Sequence, residues 1–156
     1  MAATRILLVD NGSFRPEATL ELRRLSAEVA QLLGQPVHPV SVLHSHKIDP
    51  ALLDGQPAVI FEQAVQQAKT DGIDELLVLP LFIGPSRAIT EYLPQVFADT
   101  QPGAMKLTIR PTLYGEDGAE LLDILADQIL HTPGDADKDT ILLCDHGSPI
   151  IEVTRV

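Results

Sequence analysis

The chain has 156 residues, 45% of them hydrophobic, which suits one domain with a core of its own. Acidic residues outnumber basic ones 22 to 11, for a formal net charge of -11. That balance argues against nonspecific binding to nucleic acid or to an anionic membrane, both of which need basic surface, yet leaves room for a local basic pocket. The single cysteine, Cys144, lies in an apolar run and reads as a small buried hydrophobe; neither an internal disulfide nor a cysteine zinc site is open to it. No apolar run approaches the ~18 residues of a spanning helix and no leader is read ahead of Ile6, so a cytoplasmic location is expected.

Arg5–Val9 is a short apolar run ending in Asp-Asn-Gly-Ser, the signature of a buried parallel strand. From Pro16 to Leu33 the leucines at 20, 22, 25, 32 and 33, with Val29, recur at helical spacing, and Gly34 is a natural stop. Pro36–Leu43 reads as a second strand, followed by a polar loop from His44 and a helix over Pro57–Ala68. Glu75–Leu81 is the most strand-like stretch; Ile83–Ser86 turns the chain, and a helix is expected over Arg87–Phe97. Leu107–Leu113 is a fourth strand and Glu116–His131 a fourth helix. A polar link over residues 132–139 then leads to a fifth strand, Thr140–Cys144.

Strands alternating with helices predict an α/β fold of three layers: a mostly parallel sheet of four to five strands with helices on both faces. Ligands in such folds bind beyond the carboxyl ends of the strands. Asn11–Arg15, His44–Lys47 and Gly84–Arg87 are all expected at that edge, two of them just ahead of helices whose free N–H groups favour anions.

The chain also repeats itself. ILLVDNGS at 6–13 and ILLCDHGS at 141–148 agree at six of eight positions, and the match continues ungapped through Glu17 and Glu152 to Thr19 and Thr154. The repeat suggests a duplicated architecture: a domain over 1–131, a linker over 132–139, and residues 140–156 as the start of a second, truncated copy. The plainer alternative makes 140–156 the last strand and tail of one domain.

Two stretches, LLVDNGSFRPEA (7–18) and VLPLFIGPSRAITEYLP (78–94), together with the restart at 140, resemble the CbiX/SirB-type chelatases, relatives of the class II ferrochelatases. The resemblance covers residues 5–131. It implies a chelatase-like fold and a lyase-type activity: insertion of cobalt or iron into sirohydrochlorin, on the routes to cobalamin and sirohaem. A divalent metal is then a substrate, and no organic cofactor is implied. The family's two metal-binding histidines fall on Asn11 and Ala88, its Gly-x-His glycine on Ser86, and an acidic position near His44. The repeat restores a histidine at His146. In longer members two halves face each other across one cleft, which suggests a homodimer or pairing with a second chelatase-like half. The alternative function is a non-catalytic carrier or regulator that binds metal or tetrapyrrole.

Such chemistry needs a base for two pyrrole protons, ligands for a divalent ion, and cations for the substrate's carboxylates. Neutral imidazole suits both of the first roles. His146 is therefore the candidate ligand or base, the alternative being an exposed terminal histidine. His44 and His46 stand two apart in a stretch read as extended, where they would point the same way toward one ion. Arg15 and Arg87 would clamp carboxylates bidentately. Asn11, Ser13 and Ser86 complete the substrate-binding set, the serines also as candidate caps. Glu91, at i+4 from Arg87, is either that residue's ion-pair partner or a proton acceptor. His38 and His131 read as structural or solvated, Asp10 and Asp145 as fixing their loops, Tyr92 and Phe97 as core.

Overall fold

The structure, a computed structural model, describes residues 3–115, 119–134 and 138–142. Four strands, β1 (Thr4–Asp10), β2 (Val37–Ser41), β3 (Glu75–Pro80) and β4 (Lys106–Ile109), form one sheet in the order β2-β1-β3-β4. Every pairing is parallel, with Ile6 opposite both Val37 and Leu77, and Leu76 opposite Leu107. β1 is central because its side chains are apolar on both faces: Ile6, Leu7, Leu8 and Val9 are all buried.

The helices divide between the two faces. α1 (Pro16–Leu33) covers one, packing Leu22, Leu25 and Val29 on Ile6, Leu8 and Val37. α2 (Phe61–Thr70) and α3 (Leu93–Asp99) cover the other, where Phe61, Val65 and Leu93 close over Leu7, Val9, Leu76 and Val78. Each of these fully buried side chains contributes about 1.5–3 kcal/mol, an upper bound because the unfolded chain is itself partly collapsed. The expected three-layer parallel architecture is thus the observed one.

Local chemistry explains the boundaries. Pro16 holds Arg15 extended (φ -90, ψ 124) and then opens α1, and Gly34 ends it at φ 66. α2 starts at Phe61 rather than at Pro57, because Pro57–Ile60 runs extended beside β2: the Ser41 N–H donates to the Val59 carbonyl, and Ile60 bridges Ser41. The helix after β3 begins with a wide π turn, Ala88–Tyr92, that passes directly into α3. Pro94 accounts for the widening, since it has no N–H to donate and its ring would crowd the preceding turn. β4 stops at Ile109 rather than at Leu113, with Pro111 close behind.

α4 (Ala119–His131) follows β4. Leu122, Ile124, Ile129 and Leu130 on it are exposed. Among the described residues the sheet has four strands, and Thr140–Leu142 is irregular; the rest of the expected fifth strand, with Cys144, lies outside the described residues. No helix of the described residues is long and apolar enough to cross a membrane.

Candidate functional site

All four strands deliver their chains to one rim. After β1 the turn Asn11–Arg15 lies against the segment after β2. Gly12 has φ 86, and a Cβ there would sit 1.8 Å from the Leu43 carbonyl oxygen, so only glycine allows the two loops to approach this closely. The Phe14 ring meets the His44 imidazole with centroids 4.8 Å apart, and the Lys47 ammonium stands 6.0 Å from the same ring. Phe14 remains 61% exposed. Asn11, Ser13, Arg15, His44 and His46 therefore occupy one side of the rim.

His44 and His46 do not sit on an extended chain. Ser45–Lys47 is a 3-10 turn entered from His44 at φ 70, with Ser45 buried between the two histidines. A 3-10 turn rotates side chains by about a third of a circle per residue, so the expected i, i+2 alignment on one face does not hold. Both histidines are exposed. Among the described residues, no group of three or more histidine, cysteine, aspartate or glutamate side chains is arranged to hold a metal ion. His146, with Asp145, lies outside the described residues.

Asp10 ends β1 behind the turn. One of its oxygens, Oδ1, is enclosed without a hydrogen-bond partner. Burial pushes the carboxyl above its usual range, and hydrogen bonds with the Ser41 hydroxyl and the Gly12 amide pull it partly back.

The other side of the rim comes from β3 and β4. Ser86 stands just ahead of the π turn and accepts from the Ala88 N–H at 3.2 Å, as Ser13 accepts from the Arg15 N–H at 3.0 Å. Each hydroxyl thereby bonds the amide two residues on and keeps its own proton free to donate. Arg87 is already engaged: its Nε and Nη2 donate to the Glu91 carboxylate at 2.8–3.0 Å. That bond holds Glu91 below its ordinary range and makes it a weaker base than a free glutamate.

Between this turn and the end of β4 lies an open crevice of about 690 Å3. Ser86 and Thr90 form one wall, and Arg110, Thr112 and Tyr114 the other. Of the residues expected at the site from the sequence, Ser86 alone lines it. Arg110 and Tyr114 went unnoticed because the fourth strand was read through to Leu113; the signal was Pro111, which ends the strand and puts Arg110 at its carboxyl end. Phe14 carried no signal beyond its place in the turn after β1. A smaller hollow of about 240 Å3, walled by Arg5, Arg23 and His38, runs along the outer edge of β2. Tyr92 is partly exposed, while Phe97 packs against the core as expected.

A parallel four-stranded sheet covered on both faces, with its loops gathered at the carboxyl rim, places the protein among the three-layer parallel α/β folds that bind ligands beyond their strand ends. No family model matches the chain. It is 28% identical over 144 residues to the chloroplastic sirohydrochlorin ferrochelatase of Arabidopsis thaliana, covering 91% of this chain and 59% of that protein. It is 27% identical over 137 residues to the chloroplastic ferrochelatase-2 of Oryza sativa, covering 77% of this chain and 26% of that protein. The chain thus spans just over half the length of the first relative and about a quarter of the second. Among solved structures, a CbiX protein of cobalamin (vitamin B12) biosynthesis from Marinobacter aquaeolei VT8 superposes with a TM-score of 0.58 at 14% identity, over 83% of this chain and 99% of that one. The likeness in sequence is to chelatases, as the motifs at 7–18 and 78–94 lead one to expect, and the CbiX structure shares the fold.

Proposed function

We propose that this chain is a tetrapyrrole metal chelatase, or one half of one, that inserts a divalent metal, cobalt or iron, into sirohydrochlorin in cobalamin or sirohaem biosynthesis. The observation that carries the reading is the match to a sirohydrochlorin ferrochelatase over 91% of the chain. The rim adds support, since exposed Phe14 offers an apolar surface beside serine hydroxyls and guanidinium groups, as a planar polycarboxylate requires.

In this reading Arg15, Asn11, Ser13 and Ser86 hold the substrate, and Arg87 joins them by exchanging the Glu91 carboxylate for one on the ligand. Glu91, once released, and His146 accept the two pyrrole protons. His146, with His44 or His46 but not both, delivers the metal, and it takes up its proton only after the ion has passed to the macrocycle, where the metal replaces both protons on the four nitrogens. Sparse ligation suits an ion that must leave for the macrocycle. The partner is a second chelatase-like half, as a homodimer or within a longer chain, and the reaction runs in the cytoplasm.

A second reading, a carrier or regulator of metal or tetrapyrrole without catalysis, is favoured by Asn11 and Ala88 at the positions where the family resemblance places histidines. One assay separates the two. Purified protein is mixed with sirohydrochlorin and cobalt or ferrous ion, and the absorbance change is followed against the spontaneous rate. Acceleration that falls at least tenfold in His146→Ala supports the chelatase. Tight binding of the tetrapyrrole without acceleration supports the carrier.

A further inference from the structure

The crevice between the π turn and the end of β4 is lined by a guanidinium that no acidic side chain among the described residues neutralises. Arg87, nearby in sequence, is taken up by Glu91. Arg110 is exposed and forms no ion pair with any described residue. In a chain of net charge -11, a cation free of acidic partners at a ligand-facing rim marks where an anion is tolerated.

Its backbone is fixed in place. The Arg110 N–H donates to the Val78 carbonyl at 2.9 Å, and Pro111 follows directly. The next loop is pinned to the segment after β3 by bonds from Leu113 N–H to the Phe82 carbonyl at 2.8 Å and from Tyr114 N–H to the Ile83 carbonyl at 2.7 Å. Around the guanidinium the crevice has two characters. Pro85, Ile109 and Pro111 supply apolar wall, while Ser86 and Tyr114 supply hydroxyls, that of Ser86 with its proton still to donate. A ligand arm that is alkyl along its stem and anionic at its tip satisfies both.

We propose that this crevice is a subsite for a carboxylate-bearing alkyl arm of the substrate, with the Arg110 guanidinium binding the carboxylate and Ser86 and Tyr114 donating beside it. The inference rests on the tetrapyrrole reading above and adds the residues that select for acidic side arms. Planar fork-to-carboxylate geometry is what arginine supplies and lysine does not.

The test titrates the full chain with sirohydrochlorin and with its fully esterified form, following absorbance and fluorescence. Arg110→Ala is expected to weaken binding of the free acid at least tenfold. Arg110→Lys should recover only part of the loss, and Arg110→Gln serves as a second neutral variant should the alanine protein fold poorly. The ester should bind wild type and Arg110→Ala alike. Arg24→Ala, which removes a guanidinium tied to Glu21 and Glu28 on α1, is the control that leaves affinity unchanged. If wild type binds the free acid and the Arg110 variants match it within twofold, the subsite is wrong and the chelatase reading stands. If wild type binds neither form, the tetrapyrrole reading fails and the subsite with it.

Discussion

At the scale of single residues, Asp10 shows how the rim is wired. Burial raises its carboxyl above the ordinary 3.8, so the folded protein holds that proton more tightly than the unfolded chain. The stability tied to this proton is fully present below 3.8 and is lost as pH rises through the higher folded value. Asp10→Asn removes the ionisation. It is expected to be more stable than wild type toward urea at pH 7, with the advantage shrinking to nothing by pH 3. A variant that loses stability at pH 7 but not at pH 3 would show that the charge is needed for its bonds to Ser41 and Gly12. Residue-level legibility was uneven for a related reason. Asn11, Ser13 and Arg15 could be placed because a strand-turn-helix pattern fixes where they must emerge. Arg110 could not, because a strand reading carried through to Leu113 buries it in mid-strand, whereas β4 ends at Ile109 and leaves it at the rim.

At the scale of elements, the sequence was most readable where a run was apolar on both faces or regular in period, as in β1, α1 and β3. It was least readable between His44 and Phe61. Ala58, Val59 and Ile60 look like the first turn of a helix, yet a tertiary bond from Ser41 to Val59 holds them extended. His44–His46 looked extended and is a 3-10 turn. This segment is fixed from outside itself. Ile48, Leu53 and Ala58 form a small core against Leu20 of α1. The Arg23 guanidinium donates to the Leu53 carbonyl at 2.9 Å, to Gln56 at 2.8 Å and to Pro57 at 3.3 Å. Arg23→Met keeps the aliphatic stem and deletes all three bonds. It is expected to cost ~1–3 kcal/mol in urea unfolding, with faster amide exchange over residues 50–57 as the local signature. Unchanged exchange there would mean that the Leu53 cluster alone holds the loop, and that His44 and His46 are positioned independently of α1.

At the scale of the whole molecule, the parallel order β2-β1-β3-β4 with helices on both faces follows from alternating strand and helix patterns, since parallel strands need covered crossovers. What such patterns do not specify is how fully each helix is covered. The pattern over Glu116–His131 predicts only a fourth helix; in α4 Leu122 is 58% and Leu130 82% exposed, whereas Leu22 on α1 is buried. Hydrophobic stabilisation scales with area removed from water, so these two leucines contribute little to the fold of a single chain. The joint substitution Leu122→Gln and Leu130→Gln is therefore expected to leave the unfolding free energy within about 0.5 kcal/mol of wild type, the usual range for surface positions. Urea unfolding at low protein concentration measures this, with sedimentation velocity run alongside. A loss of ~2 kcal/mol or more, accompanied by a fall in sedimentation coefficient, would show the leucines covered in solution by a second copy. The same loss at unchanged sedimentation would mean that the chain itself folds over α4, so that residues beyond 142 complete the domain rather than begin another.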